Sequence, residues 1–322
     1  MGSVPGALAA GARYRPQIRW SIETGSLPLP VLTSFTSRID IVVTTALTCN
    51  PVDPTGKNSN QVAVAVIPAR YGSSRLPGKP LLKIAGKPLI LWVAERALAA
   101  HSVSRVIVAT DDMRILDVVM SAGFEAMMTS DDHASGTDRV AEVARNLDAR
   151  IIVNVQGDEP LIESETIDRA VHELSKNDEM LMATTSEPIT EAAEVVNPAV
   201  VKVVVDGDGY ASSFSRNPIP WPNQAVTQHG SIEAALRNIP ALLFSFRKHT
   251  GLYAYRRDFL LQFAGWPQSE NECRESLEQL RALDRGTKIK VVDAASPSIG
   301  VDTMEDLERV NALVERQTRI AV

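Results

Sequence analysis

From Val62 onward, short apolar runs rich in β-branched residues alternate with stretches in which apolar residues recur at helical spacing. The runs Val62–Ile67, Arg105–Thr110, Ile151–Val155, Val200–Val205 and Leu252–Tyr255 are predicted strands, each a short apolar segment of strand length. Leu89–Ala100, Met113–Ser121, Asp138–Arg145 and Thr166–Leu174 are predicted helices, with Pro88 well placed near a helix start. This alternation predicts an α/β fold, doubly wound around a mostly parallel sheet. Ligands of such sheets collect at the carboxyl ends of the strands. The loops after Ile67, Thr110 and Val155 are therefore where chemistry is sought first. No internal repeat is visible.

Residues 1–60 follow a different pattern. They are rich in Gly, Pro, Ser and Thr and close with the turn formers Asn50, Pro51, Pro54, Gly56, Asn58 and Asn60. Arg13, Arg15, Arg19 and Arg38, with few acids around them, would suit a transit peptide, but no sustained amphipathic or apolar segment accompanies them. The expected organisation is a disordered N-terminal extension over 1–60, or a start assigned too far upstream, followed by one compact domain over 61–322.

Composition narrows the function. The chain has 322 residues, enough for a full core, and 33 Lys and Arg against 39 Asp and Glu give a net charge of −6. That balance provides no global field for nucleic acid or an anionic membrane, so an anionic ligand needs locally grouped cations. Cys49 and Cys273 offer neither a disulfide framework nor metal spacing, and no apolar run approaches the roughly 20 residues that span a bilayer. A cytoplasmic protein without nucleic-acid or membrane partners is expected.

The first predicted strand runs into Pro68-Ala69-Arg70-Tyr71-Gly72-Ser73-Ser74-Arg75-Leu76-Pro77-Gly78-Lys79-Pro80. Glycines let backbone N–H groups approach phosphate oxygens, while Arg70, Arg75 and Lys79 supply cations for a polyphosphate. The segment is neither a Walker A loop nor GxGxxG, which counts against P-loop hydrolysis and nicotinamide binding. A basic surface loop with solvated charges is the structural alternative. Farther along, Asp158 follows an apolar strand and Asp302 follows Ile299 and Val301, so each can present a carboxylate at the end of a buried element. Such oxygen ligands suit Mg2+, which takes one or two protein carboxylates beside phosphate and water. Either aspartate is also suited to capping a helix, Asp302 ahead of the run Thr303–Val314.

Arg70 to Leu81 resembles the signature of the sugar nucleotidyltransferases, most closely the cytidylyltransferases that activate 3-deoxy-manno-octulosonate (Kdo). The resemblance extends from about Val62 to Leu313 through Asn154-Val155-Gln156-Gly157-Asp158-Glu159-Pro160, Phe214-Ser215-Arg216, Leu277-Glu278-Gln279-Leu280-Arg281 and Gly300-Val301-Asp302-Thr303. It implies a fold of the nucleotide-diphospho-sugar transferase type. The implied reaction is attack of the sugar's anomeric hydroxyl on the α-phosphorus of CTP, expelling diphosphate, in lipopolysaccharide precursor synthesis. It implies that Asp158 and Asp302 contact magnesium and that Arg70, Arg75, Lys79 and Asp158 serve the reaction. It also implies CTP contacts from Ala69, Ser73, Ser135, Gly136 and Gln156, although Ser135 or Thr137 equally fits an N-cap. Arg216, His249, Tyr253, Glu278 and Gln279 match the family's sugar-binding positions, and each alone also suits a structural role. A homodimer is expected.

The long leader, the stretch Gln224–Pro240 and the polar segment Gln268–Arg274 depart from the family pattern. Three rivals remain: activation of another acidic sugar such as sialic acid, a non-catalytic nucleotide-sugar-binding protein, and a structural subunit. The sialic acid enzymes typically carry Lys-Asn where this chain has Lys79-Pro80, and a pure binder does not require the complete metal and phosphate set.

Overall fold

The computed structural model describes residues 63–72 and 76–320. The expected extension over 1–60, Val62, and the loop residues Ser73 and Arg75 lie outside the described residues.

Among the described residues, nine strands form the central sheet: β1 (Ala63–Ala69), β2 (Val103–Thr110), β3 (Glu125–Met128), β4 (Ile151–Asn154), β5 (Met182–Pro188), β6 (Lys202–Val205), β7 (Ala211–Ser215), β8 (Arg247–Arg256) and β9 (Ile289–Asp293). Their order is β9-β5-β8-β4-β1-β2-β3, with β6 pairing β8 and β7 pairing β6. β1 lies parallel between β2 and β4, β2 is parallel to β3, and β5 is parallel to β9. The sheet is mostly parallel, as expected. The predicted strand at Leu252–Tyr255 belongs to the longer β8, which runs antiparallel to both β4 and β5.

The helices are α1 (Leu89–Leu98), α2 (Met113–Ser121), α3 (Gly136–Arg145), α4 (Ser164–Ser175), α5 (Ala192–Val196), α6 (Asn223–His229), α7 (Ile232–Asn238), α8 (Arg257–Ala264), α9 (Glu270–Glu275), α10 (Gln279–Asp284) and α11 (Met304–Ile320). Alternate residues of β1 divide between two cores. Ala63, Ala65 and Ile67 pack with α1, α2, α4 and α11, whereas Val64 and Val66 pack with α3, α8 and α10. Helices covering both faces explain why β1 reads as an unbroken apolar run. No helix among the described residues is long and apolar enough to cross a membrane.

Candidate active site

The carboxyl ends of β1 and β4 open beside the N-terminus of α3 into a cavity of about 340 Å³. Of the sequence-predicted residues, Ala69, Arg70, Lys79, Ser135, Gly136, Gln156, Asp158 and Asp302 all line it. Its floor depends on close backbone approach: a Cβ at Gly157 would lie 2.7 Å from the Pro68 carbonyl oxygen, and one at Gly136 would lie 3.4 Å from the Pro68 ring. These contacts bring α3, the loop after β4 and the end of β1 together.

Lys79 opens a short 3-10 turn behind Gly78, which takes a left-handed φ of 69°. Its Nζ donates to Asp158 Oδ2 at 2.8 Å and to Asp302 Oδ1 at 3.0 Å. Burial opposes the charge on this amine, but the two carboxylates outweigh it and hold the pKa above its ordinary value. The aspartates converge because Val301 N–H donates to the Asp158 carbonyl at 2.8 Å, docking the segment before α11 against the loop after β4.

The helix-cap alternative for Asp302 fails. Thr303 Oγ1 accepts from Asp306 N–H at 3.2 Å, and the Asp306 carboxylate takes the N–H groups of Asp302 and Thr303. Capping of α11 therefore falls to Thr303 and Asp306. At α3 the cap alternative is realised: Ser135 Oγ accepts from Asp138 N–H at 3.1 Å, and Asp138 takes Ser135 N–H in return. Ser135 nevertheless lines the cavity, and the uncompensated amides of this helix end suit an anion or a base edge.

The carboxylate pair fits a hard divalent cation. Two anionic oxygens already share one cation, the Lys79 ammonium. Beside them Glu159 is half-buried with its Oε2 withdrawn from solvent, and its carboxyl is pushed up to about 7, first by desolvation and then by the Asp158 charge. Glu159 Oε2 has no hydrogen-bond partner among the described residues, an orphaned acceptor next to the carboxylate pair.

His133 and Arg139 also line the cavity and were not singled out from sequence. His133 Nε2 pairs with Glu142. Arg139 is buried and donates to Asp111 Oδ2 at 2.7 Å, tying α3 to the end of β2. Arg139 follows Ser135 by four residues, in the first turns of α3. His133 left no periodic signal.

The five sugar candidates do not line the cavity. Arg216 spends its guanidinium on the carbonyls of Glu275 at 2.8 Å, Pro198 at 3.1 Å and Ser276 at 3.4 Å. Tyr253 and Gln279 are each only 3% exposed. His249 lies between Phe214, which it meets edge to face, and the tilted ring of Tyr253, and burial lowers its pKa to about 3, so its imidazole is neutral. Thr184 Oγ1 gives its proton to the Leu252 carbonyl at 2.8 Å and lies 2.9 Å from His249 Nε2, which makes Nε2 the donor to Thr184. Burial raises the Glu278 carboxyl, opposed by its hydrogen bond from Thr137 Oγ1. Asn154 donates to the same hydroxyl, and Gln156 donates to the Gly251 carbonyl at 3.1 Å, so this interior wall connects to the cavity through hydrogen bonds.

Comparison with known proteins bears on this geometry. A family model described as cytidylyltransferase matches residues 64–289. A 3-deoxy-manno-octulosonate cytidylyltransferase from Syntrophotalea carbinolica is 52% identical over 248 residues, covering 77% of this chain and 96% of that protein. The Pseudomonas fluorescens protein of the same name is 52% identical over 255 residues, covering 78% and 97%. A solved structure of CMP:2-keto-3-deoxy-manno-octonic acid synthetase complexed with CTP is 44% identical, with a TM-score of 0.71, and covers 80% of this chain and 99% of that one. A 4-diphosphocytidyl-2C-methyl-D-erythritol synthase from Anaerococcus prevotii, 15% identical with a TM-score of 0.50, shares the fold.

Proposed function

The chain belongs to the cytidylyltransferase family, and from that premise we propose that it activates Kdo: CTP and 3-deoxy-D-manno-octulosonate give CMP-Kdo and diphosphate, for lipopolysaccharide biosynthesis. The observation that carries this reading is the convergence of Lys79, Asp158 and Asp302 on a cavity bounded by the loop after β1 and the N-terminus of α3. The domain responsible spans 61–322, works in the cytoplasm and is a homodimer.

In this reading Arg70, Lys79 and Arg75 bind the triphosphate. Arg70 is exposed at the end of β1, and Lys79 is held at the cavity edge. Ala69, Ser73, Ser135, Gly136 and Gln156 contact the rest of CTP. Ser135 and Gly136 present small side chains and helix-terminal amides to cytosine, a geometry that accepts a pyrimidine edge and crowds a purine. Asp158 and Asp302 would hold magnesium, which when bound neutralises phosphate charge and lowers the pKa of a nearby hydroxyl. No covalent intermediate on the protein is required. Its residues align the anomeric hydroxyl with the α-phosphorus and offset the charge that develops on the departing diphosphate.

Arg216, His249, Tyr253, Glu278 and Gln279 serve the sugar. For Arg216 to take the sugar carboxylate, its guanidinium must exchange backbone carbonyls for that carboxylate, a stronger charge-assisted partner. The experiment is diphosphate release by purified protein with magnesium, comparing CTP with ATP and Kdo with sialic acid. Release that requires CTP and Kdo supports the reading. Release only with another sugar replaces the substrate, and absence of release with every pair favours a binding protein.

A further inference from the structure

We propose that Tyr71 is a positioning residue that holds the loop after β1 in place through a stack on Arg114 and a close fit against Gly78. The proposal rests on the reading of that loop as the triphosphate site. Tyr71 follows Arg70 directly and does not line the cavity; its ring instead packs against the apolar core beneath the loop.

The two ends of the loop are closed on each other. Gly78 N–H donates to the Tyr71 carbonyl at 3.0 Å, and Lys79 N–H donates to the Leu76 carbonyl at 3.1 Å. Gly78 has a left-handed φ of 69°, and a Cβ there would lie 3.2 Å from ring and hydroxyl atoms of Tyr71. The left-handed backbone angle favours glycine immediately before Lys79, and the close ring adds to that preference.

The guanidinium of Arg114 lies over the Tyr71 ring, 3.4 Å from its centroid. Asp112 also fixes its orientation. Arg114 Nε and Nη2 donate to the two oxygens of Asp112 at 2.9 and 2.6 Å, and Asp112 is the N-cap of α2, accepting Arg114 N–H at 2.9 Å. Asp112 N–H donates to Thr110 Oγ1 at the end of β2, and Thr110 is the partner of Ala69 in the β1–β2 register. The ring is thereby fastened to the neighbouring strand, one residue from Arg70 on one side and against the residue preceding Lys79 on the other.

Arg70 and Lys79 adjoin Tyr71 and Gly78, so fixing those two residues sets both cations in place before the nucleotide arrives, and less ordering is left for binding to supply. The consequence is selective: nucleotide affinity depends on the stack, whereas turnover of the bound complex and sugar affinity do not.

The test is steady-state kinetics of the full-length protein with CTP, Kdo and magnesium, with melting temperatures measured in parallel. Tyr71→Ala and Arg114→Ala should each raise the KM for CTP roughly three- to fivefold, on the scale of a lost cation–π stack at an exposed site. kcat and the KM for the sugar should change less than about 1.5-fold, and Tyr71→Phe should keep the wild-type KM because it keeps the ring. Combining both alanine substitutions should be no worse than either alone, since they break one contact. Should Tyr71→Ala fail to fold, Arg114→Ala, at an exposed position, still decides the matter. An unchanged KM for CTP in Arg114→Ala, additive effects in the double variant, or a Tyr71→Phe variant as impaired as Tyr71→Ala would each overturn the proposal. A wild-type protein that does not use CTP would instead sink the functional reading on which it rests.

Discussion

Lys79 and Lys202 are both withdrawn from solvent, yet their surroundings assign them opposite tasks. Lys202 is fully buried and directs its ammonium at the carbonyls of Asn197 at 3.0 Å, Val200 at 2.7 Å and Arg216 at 2.5 Å. Its three donors have three neutral acceptors, and burial, followed by the nearby Arg216 guanidinium, lowers its pKa to about 8. Lys79 faces two carboxylates at the edge of a cavity, and its pKa is raised. Carbonyl acceptors built into the backbone make a joint. A cation shared by two carboxylates beside an open volume makes an exchangeable site, because phosphate can compete for the amine and a metal for the carboxylates.

The comparison is sharpened most by substitutions that separate activity from stability. Asp158→Asn and Lys79→Met should each cut turnover on the order of a hundredfold or more while the melting temperature moves little, since both groups keep some contact with solvent. Lys202→Met should do the reverse: unfolding titrations should show a loss of roughly 2–3 kcal/mol from carbonyls left without donors, with near-normal turnover per folded molecule. Turnover lost at Lys202 with stability intact would erase the distinction.

A smaller effect is expected at Gly157→Ala, where the added methyl meets the Pro68 carbonyl. Denaturant unfolding should register roughly 1–3 kcal/mol of destabilisation, accompanied by a higher KM for CTP. The smallest effect near neutral pH concerns His249. Its pKa falls from an ordinary 6.5 to about 3 on burial, so between those values the unfolded chain binds more protons than the folded one. Its contribution to stability is complete above about pH 6.5 and is lost as the pH falls toward 3. The difference between wild-type and His249→Gln stability curves should slope across that window and flatten above it. A flat difference throughout would mean that the imidazole is not held neutral.

Much of the fold was legible where burial is two-sided. β1 and α2 stand close to or at their predicted limits because apolar runs and helical periodicity are unambiguous there. β5 was missed: it reads MATTSEP, and polar residues give no strand signal. Thr184, Thr185 and Ser186 are nevertheless fully buried, with Thr184 Oγ1 donating to the Leu252 carbonyl and Thr185 paired with Thr250 across the strands. The direction of β8 was equally hidden, since an antiparallel strand covered on both faces looks like a parallel one. Gln224–Pro240, where the family pattern lapses, contains α6 and α7.

The site divides along similar lines. Arg70 to Lys79 could be read because one contiguous segment carries its chemistry. The meeting of Asp158 with Asp302 depends on the Val301 to Asp158 backbone bond, which no local pattern announces. His249, Tyr253 and Glu278 were singled out only by resemblance, and their interior position follows from tertiary packing that spacing cannot reveal.

The central claim is that Asp158 and Asp302 form the magnesium-dependent half of the CTP site. Calorimetric titration of CTP into the wild-type protein and into an Asp158→Asn, Asp302→Asn double variant, each with and without magnesium, tests it most directly. The account predicts CTP binding that magnesium strengthens in the wild type and leaves unaffected in the variant. Equal strengthening by magnesium in both proteins would contradict it.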